Sequence, residues 1–537
     1  MKSTLFFVLL LIPLLAGCTK PSPEPTLLLR NGTVFSGADE PPVVTDVWVQ
    51  GDRIVATGDG KGFTATRVVD VSGLAVAPGF IDLHTHGIRA NDIRSGLYQS
   101  LAAESALRQG VTTVIGGPDG WSPVPVETAF ERLQNRPVTV NFGTYIGHGA
   151  VRSAVVGLED RPPSAEEIDA MKAIVDEAMK QGAFGLSSGL VYVPGRFAET
   201  KELVELARVA GVHGGIYTSH MRDEALEVLS AVRELIAIAE EAGLPGHITH
   251  VKAMGTSVQG SSAEIIRLVD DALARGVDIS MDQYPYAASS TGLSVQFPRW
   301  SRDGGNAALA DRLKDPELRA KIHAELVYQL TEVRGRNDPK NVQLAYCSFD
   351  HSLDGLNLAE ILRRDERDVT VDNAATLIME LQAAGGCQAV YHAMHPDDVI
   401  ALMQHPRTMI ASDGGVEVPG SGHPHPRNYG TYPRVLGHYV RELDVLPLHT
   451  AVHKMTLLPA KRIGLSDRGR IEAGAVADIV VFDPESIIDN ATFSNPHQYA
   501  TGVHHVLVAG EFVLMDEAVT DARPGRILRS SSWVAPE

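Results

Sequence analysis

From residue 79 to residue 413 the chain repeats one pattern, a short apolar run rich in β-compatible residues followed by an amphipathic stretch of helical period. Eight runs read as strands, at 79–86, 111–117, 138–148, 183–192, 214–220, 246–252, 277–286 and 407–413. Helical periodicity marks 99–109, 165–181, 223–243, 261–275 and 449–463. A helix between two strands carries the chain back across the sheet, so the strands pair in parallel. Eight such units predict an α/β fold, a closed (β/α)8 TIM-like barrel. One interval, 295–405, is too long for a simple connection, and an irregular loop of that size is improbable. It is expected to be an inserted subdomain, helical over Asp311 to Leu330, lying over the barrel mouth as a lid.

Barrels of this kind gather their chemistry at the C-terminal ends of the strands. The first run ends in Pro78-Gly79-Phe80-Ile81-Asp82-Leu83-His84-Thr85-His86-Gly87. Alternate residues of a strand share a face, so His84 and His86 project together, their Cα atoms roughly 6–7 Å apart. The fifth run ends at His220, the sixth carries His250 and the eighth ends in Ser412-Asp413-Gly414. Four imidazoles and a carboxylate thus converge on one mouth and predict a metal site. Nitrogen and oxygen donors favour zinc, as one or two divalent ions, with iron, manganese and cobalt also open by ligand type. Such a site lowers the pKa of a water and polarises a carbonyl oxygen. Asp413 suits the general base that takes the water's proton and passes it to a leaving amine, in the hydrolysis of an amide-type bond.

The formal charge of −19, with no basic run, excludes nucleic acid as a partner. Both chain ends read as β-structure, over 27–77 and 465–530, and are expected to form one small β-sandwich beside the barrel of 78–294 and 406–464. Lys2 precedes an apolar segment, Leu5 to Leu15, too short to span a bilayer. Leu15-Ala16-Gly17-Cys18 resembles the end of a bacterial lipoprotein signal, the alternative being an ordinary secretory signal with a chance cysteine. That resemblance implies removal of residues 1–17, lipidation of Cys18, a tether over 18–26, and a place in the bacterial cell envelope held to the membrane by the lipid anchor only. Cys347 and Cys387 either pair in that oxidising compartment or stay buried thiols.

The decapeptide resembles the first barrel strand of the amidohydrolase superfamily. Ser187-Ser188-Gly189-Leu190-Val191-Tyr192-Val193-Pro194-Gly195, Thr218 to Glu224, Asp282-Gln283-Tyr284-Pro285-Tyr286 and His423 to Gly437 are similar to the D-aminoacylase family of N-acyl-D-amino-acid deacylases. The resemblance runs from about Thr26 to Ser530. It implies His84, His86 and Asp413 around one metal, and His220 and His250 at the other. It implies Lys252, Tyr284 and Ser290 on the carboxylate of an N-acyl amino acid substrate, with Tyr192 facing that substrate; Lys252 is alternatively half of a structural ion pair. Tyr286 is an alternative to Tyr284. Arg427 is either a contact for an anionic substrate group or a surface salt bridge.

The family's second strand normally ends in a metal-binding cysteine. Here Thr113-Val114-Ile115-Gly116-Gly117-Pro118-Asp119-Gly120 puts Asp119 at that place, and Gly87 stands where the family tends to be acidic. Asp119 either bridges metals as a carboxylate or merely shapes the Pro118–Gly120 turn. Two rivals remain: a hydrolase of cyclic amides, which usually needs a bridging lysine that Ala183 to Tyr192 does not contain, and a non-catalytic binding lipoprotein.

Overall fold

A computed structural model describes residues 27–61, 63–88, 96–420 and 422–534. The signal-like segment, Cys18 and the tether lie outside the described residues. The central body is a (β/α)8 barrel of parallel strands: Phe80–Asp82, Val111–Gly116, Asn141–Thr144 continued by Ile146–Gly147, Gly185–Gly189, Ile216–His220, Gly246–Ile248, Ile279–Gln283 and Thr408–Ile410. The ring closes just past the first and last strands. Thr85 and Gly414 form a parallel bridge, His86 N donates to Gly414 O at 2.7 Å, and Asp413 N donates to His84 O at 2.9 Å. The bonds that close the barrel therefore set His84, His86 and Asp413 side by side.

Outer helices follow from the expected periodicity. Ala165–Lys180 starts in a reciprocal cap between Ser164 and Glu167, which satisfies two otherwise unpaired amides. Val228–Ala242 ends at Gly243, whose φ of 70° suits a residue without a Cβ. Buried Val228, Val232, Leu235 and Ala239 lie on its barrel-facing stripe. The stretch at 99–109 forms only a short helix, Glu104–Leu107.

The two chain ends make the small β-domain. Its faces belong to one hydrogen-bonded sheet of nine strands, in which Ala75–Pro78 joins the N-terminal strands to Ile479–Phe482. That sheet rolls until Ile54 N donates to Ala475 O at 2.9 Å and Ala477 N to Asp52 O at 2.8 Å. Leu29, Val47, Val49, Ile54, Val76, Ile479 and Leu507 fill the space enclosed.

The inserted unit has its own apolar core, from Leu293 to Tyr391, and a three-stranded antiparallel sheet of Ser289–Gly292, Val342–Tyr346 and Gln388–Tyr391. Two of its limits differ from the expected 295–405. Ser289–Gly292 belongs to this sheet because Tyr391 and Val390 pair with it. Pro396–Gln404 belongs to the barrel, since its Asp398 accepts from Ser262 Oγ at the start of the helix Ser262–Ala274. The expected helix from Asp311 to Leu330 is broken where Asp315 caps Pro316–Tyr328, the proline fitting a first helical turn. Cys347 and Cys387 are joined as a disulfide across this unit.

Candidate metal centre

Two buried carboxylates beneath the mouth fix the strand ends. Asp82 accepts from His84 N, Ser412 N and Ser412 Oγ. Asp282 accepts from His250 N at 2.6 Å and meets His247 Nε2 at 2.7 Å. Burial raises Asp82 to about 6 despite those donors. Asp119, His250 and Asp413 all have left-handed backbones, with φ of 54°, 34° and 49°. Such strain persists only where surrounding contacts enforce it, and three instances around one point mark a built site.

Asp119 stands at the middle. Its Oδ1 lies 3.4 Å from His84 Nε2 and 3.5 Å from His250 Nε2, and its Oδ2 lies 3.6 Å from His86 Nε2 and 3.7 Å from His220 Nδ1. Asp413 Oδ1 is 3.4 Å from His84 Nε2 and 3.1 Å from His86 Nε2. Donors 2.0–2.1 Å from a tetrahedral zinc ion are separated by about 3.4 Å, so these spacings are those of ligands around one ion. Both ring nitrogens of His84, Asp119 Oδ1 and His220 Nε2 are buried without a hydrogen-bond partner. Orphaned polar atoms of this kind call for a ligand. The donor set fits a divalent metal.

The charges agree. Burial opposes protonation of His84, yet Asp119 and Asp413 hold its pKa well above the ordinary histidine value. His250 is pushed up to about 9, the carboxylates of Glu224, Asp413 and Asp119 outweighing burial and the nearby Lys252 ammonium. Both Asp119 and Asp413 stay well below the usual carboxylate range although buried, held there by Arg427 in the case of Asp413 and by the histidines. A site that draws protons onto buried imidazoles has room for positive charge that a metal ion supplies.

The donors group differently from the two sets implied by resemblance. His84, Asp119, His250 and Asp413 form one nest, and His220, Glu224 and His250 a second. His250 serves both because it lies between the His84 and His220 rings, whose centroids are 4.9 and 4.4 Å away. His86 stands at the rim, its side chain 39% exposed. Glu224 is a candidate site residue to which the sequence alone assigned no role. It is buried, with Oε1 2.9 Å from His250 Nδ1 and 2.6 Å from Lys252 Nζ, and Oε2 3.5 Å from His220 Nε2. The signal was its place in the quoted Thr218 to Glu224 stretch.

Asp119 makes no hydrogen bond to the turn that carries it; Ser187 Oγ instead bridges Gly117 O and Gly120 N. The turn-shaping alternative thus has no contact behind it. Lys252 is buried and paired with Glu224, and burial lowers its pKa. Tyr284 carries the Arg427 guanidinium over its ring at 4.8 Å, whereas Tyr286 donates to Asp489 away from the metal nests. Arg427 is buried rather than superficial, and its Nη1 donates to Asp413 Oδ2 at 2.7 Å. Tyr192 Oη lies 3.4 Å from His220 Nδ1 and 3.1 Å from Thr291 Oγ1. Ser290 lines both the mouth, a cavity of about 1020 Å³, and a small inner chamber of about 30 Å³ at its base. Tyr346 and Gln388 of the inserted unit wall the mouth, so that unit does stand over the site.

A rolled β-domain from both chain ends, a (β/α)8 barrel and a nest of histidines and aspartates at the barrel's C-terminal mouth define a metal-dependent hydrolase architecture. The chain belongs to the amidohydrolase family, which it matches over residues 67–514. It is 38% identical to a D-aminoacylase of Alcaligenes xylosoxydans xylosoxydans over 529 residues, covering 94% of this chain and 97% of that protein. The crystal structure of the N-acyl-D-glutamate deacylase of Bordetella bronchiseptica, complexed with zinc and a phosphonate inhibitor, superposes with a TM-score of 0.80 at 31% identity, covering 95% of this chain and all of that one. A D-hydantoinase structure aligns at 15% identity with a TM-score of 0.56 and shares the fold alone.

Proposed function

We propose that this protein hydrolyses the amide bond of N-acyl-D-amino acids, releasing a carboxylate and a free D-amino acid, with one or two divalent ions, zinc foremost. The observation that carries this reading is the set of near-tetrahedral spacings among His84, Asp119, His250 and Asp413. Relatives that share nearly the whole chain include a D-aminoacylase and an N-acyl-D-glutamate deacylase.

When bound, the metal would supply Lewis acidity to the acyl carbonyl and to the attacking water. His84, His86, Asp119, His220, His250 and Asp413 are the residues that would hold it. Glu224 keeps His250 and Lys252 oriented, as an outer carboxylate does for a ligating imidazole. Asp413 accepts the proton of water at one carboxylate oxygen and delivers it to the amide nitrogen as the C–N bond breaks. Arg427 keeps that carboxylate ionised between turnovers. Tyr192 offers its hydroxyl to the substrate beside His220. The substrate carboxylate takes the ammonium of Lys252 and the hydroxyls of Tyr284 and Ser290. The strand Gly185–Gly189 contains no lysine, and no observation favours the cyclic-amide or the purely binding reading.

We further place the protein in the bacterial cell envelope, lipid-anchored through Cys18. Supporting this are the Leu15 to Cys18 motif and the Cys347–Cys387 disulfide, a bond kept in oxidising compartments. Among the described residues no helix is long and apolar enough to cross a membrane. Labelled palmitate should enter the wild-type protein and not Cys18→Ser; equal labelling overturns the anchor.

The test of the activity is a panel of N-acetyl D- and L-amino acids given to purified protein before and after chelation. Release of D-amino acids, lost with metal and restored by zinc, is the expected result. Equal hydrolysis of L-substrates overturns the stereochemical reading.

A further inference from the structure

Three cationic side chains stand at the inner chamber and the mouth above it, and two are already neutralised. Lys252 pairs with Glu224, and Arg427 with Asp413. The third is Arg334, carried in by the inserted unit at the end of the turn Gln329–Val333. It is 6% exposed and lines the chamber with Lys252, Tyr284, Ser289 and Ser290. Among the described residues no carboxylate lies within ion-pair distance of its guanidinium. Its neighbours are the Met254 thioether, 3.6 Å from Nη1, and the Tyr391 ring, 5.3 Å from Cζ. Neither can neutralise a desolvated charge, and a buried guanidinium left in this state is unfavourable until an anion meets it.

The surroundings deepen the imbalance. Arg302, 4% exposed, spends one amino group on Val191 O and leaves Nη1 buried without a partner. Burial and the fields of Arg196 and Arg334 lower its pKa to about 9, so the guanidinium groups on this side of the chamber feel one another. Arg334 itself is walled by methionine and tyrosine, and it faces the chamber where Lys252, Tyr284 and Ser290 receive the substrate's α-carboxylate.

We infer that Arg334 is a specificity-determining residue that pairs with a second carboxylate, on the side chain of the D-amino acid, so that the preferred substrates are N-acyl derivatives of short acidic D-amino acids such as D-glutamate and D-aspartate. This rests on the deacylase reading. A planar guanidinium matches a carboxylate with two parallel hydrogen bonds, which an uncharged side-chain amide cannot return. The chamber's small volume favours a short side chain. Specificity then comes from the inserted unit while the barrel carries the chemistry, so the two can vary separately.

The experiment compares kcat/KM for N-acetyl-D-glutamate, N-acetyl-D-aspartate, N-acetyl-D-glutamine and N-acetyl-D-leucine in zinc-loaded wild type, Arg334→Met and Arg334→Lys. Wild type should favour an acidic substrate over glutamine by tenfold or more. Arg334→Met should lower the glutamate-to-glutamine ratio by about 100-fold, mostly through KM. Arg334→Lys, with the charge but without the fork, should fall between. The melting temperature of Arg334→Met should hold or rise, since an unpaired buried charge is removed. Equal losses for glutamate and glutamine, or a wild-type preference for neutral side chains, would overturn the inference while leaving the deacylase reading intact. Absence of hydrolysis for every D-substrate would overturn that reading and this one together.

Discussion

Arg427 donates from Nη1 to Asp413 Oδ2 across 2.7 Å, and both side chains are buried. The proposed general base is thereby tied to a permanent cation. Burial alone would raise the Asp413 pKa; Arg427 is the largest influence holding it down. Arg427→Met should therefore move the acid limb of kcat/KM to higher pH and lower its plateau by about 100-fold, in keeping with the loss of one partner from a buried pair. Arg427→Lys should keep the limb nearer its wild-type position. A pH–rate profile unchanged in Arg427→Met would contradict the pairing's role.

Asp119 is the residue around which the imidazoles gather. Asp119→Asn keeps the left-handed turn, which asparagine also tolerates, and removes the anionic donor. Metal content measured by mass spectrometry should fall together with turnover. Asp119→Cys should retain metal and shift preference toward zinc, because thiolate is the softer donor. Normal stoichiometry and rate in Asp119→Asn would reduce the site to the histidines and Asp413.

Glu224 touches both His250 of the metal nests and Lys252, the lysine proposed to meet the substrate. Glu224→Gln should weaken metal binding by about 10- to 100-fold, the usual effect of losing an outer carboxylate. A competition titration with a zinc indicator reads this directly. Unchanged affinity would leave Glu224 as a partner of Lys252 only.

How much of this was legible in the chain depended on distance along it. The barrel and the placement of His84, His86, His220, His250 and Asp413 rest on strand period and strand ends, which are local signals. Glu224 was hidden because it lies past the strand end, on a turn that Asp223 organises by accepting from Ala225 N and Glu227 N. Arg334 comes from the inserted unit, and no spacing in the sequence relates it to Lys252. Tyr284 and Tyr286 share a face by strand period, so only packing on Arg427 or Asp489 separates them. The rolled sheet depends on Ile54 meeting Ala475, a pairing that chain-end composition does not encode.

A buried triad outside the two metal nests gives a stability prediction. His148 Nε2 lies 2.8 Å from Glu202 Oε1, and Arg152 bonds the other oxygen. Burial pushes Glu202 up, but His148 and Arg152 together hold it below its ordinary value of 4.5. A carboxylate with a depressed folded-state pKa stabilises the fold fully above its unfolded pKa, and that contribution is lost as pH falls through the folded value. The melting-temperature gap between wild type and Glu202→Gln should be constant from about pH 7 to pH 5 and shrink below about pH 4.5. A gap that widens on acidification would contradict the assignment.

The disulfide Cys347–Cys387 closes a loop with a sequence separation of 40 inside the inserted unit. Cross-linking a loop of that size stabilises by about 4 kcal/mol on the chain-entropy estimate. Paired Cys→Ser replacement should lower the unfolding temperature of that unit and leave metal content unchanged, as followed by calorimetry and metal analysis on one sample.

The most direct test joins metal to chirality in a single titration. Chelated protein is given zinc stepwise while release of D- and L-amino acid from racemic N-acetyl substrates is followed by chiral chromatography. D-amino acid should be absent without metal and rise with added zinc, with L-release remaining far lower throughout. Full activity in the metal-free protein, or equal release of both enantiomers at every zinc level, would contradict a metal-dependent deacylase of N-acyl-D-amino acids.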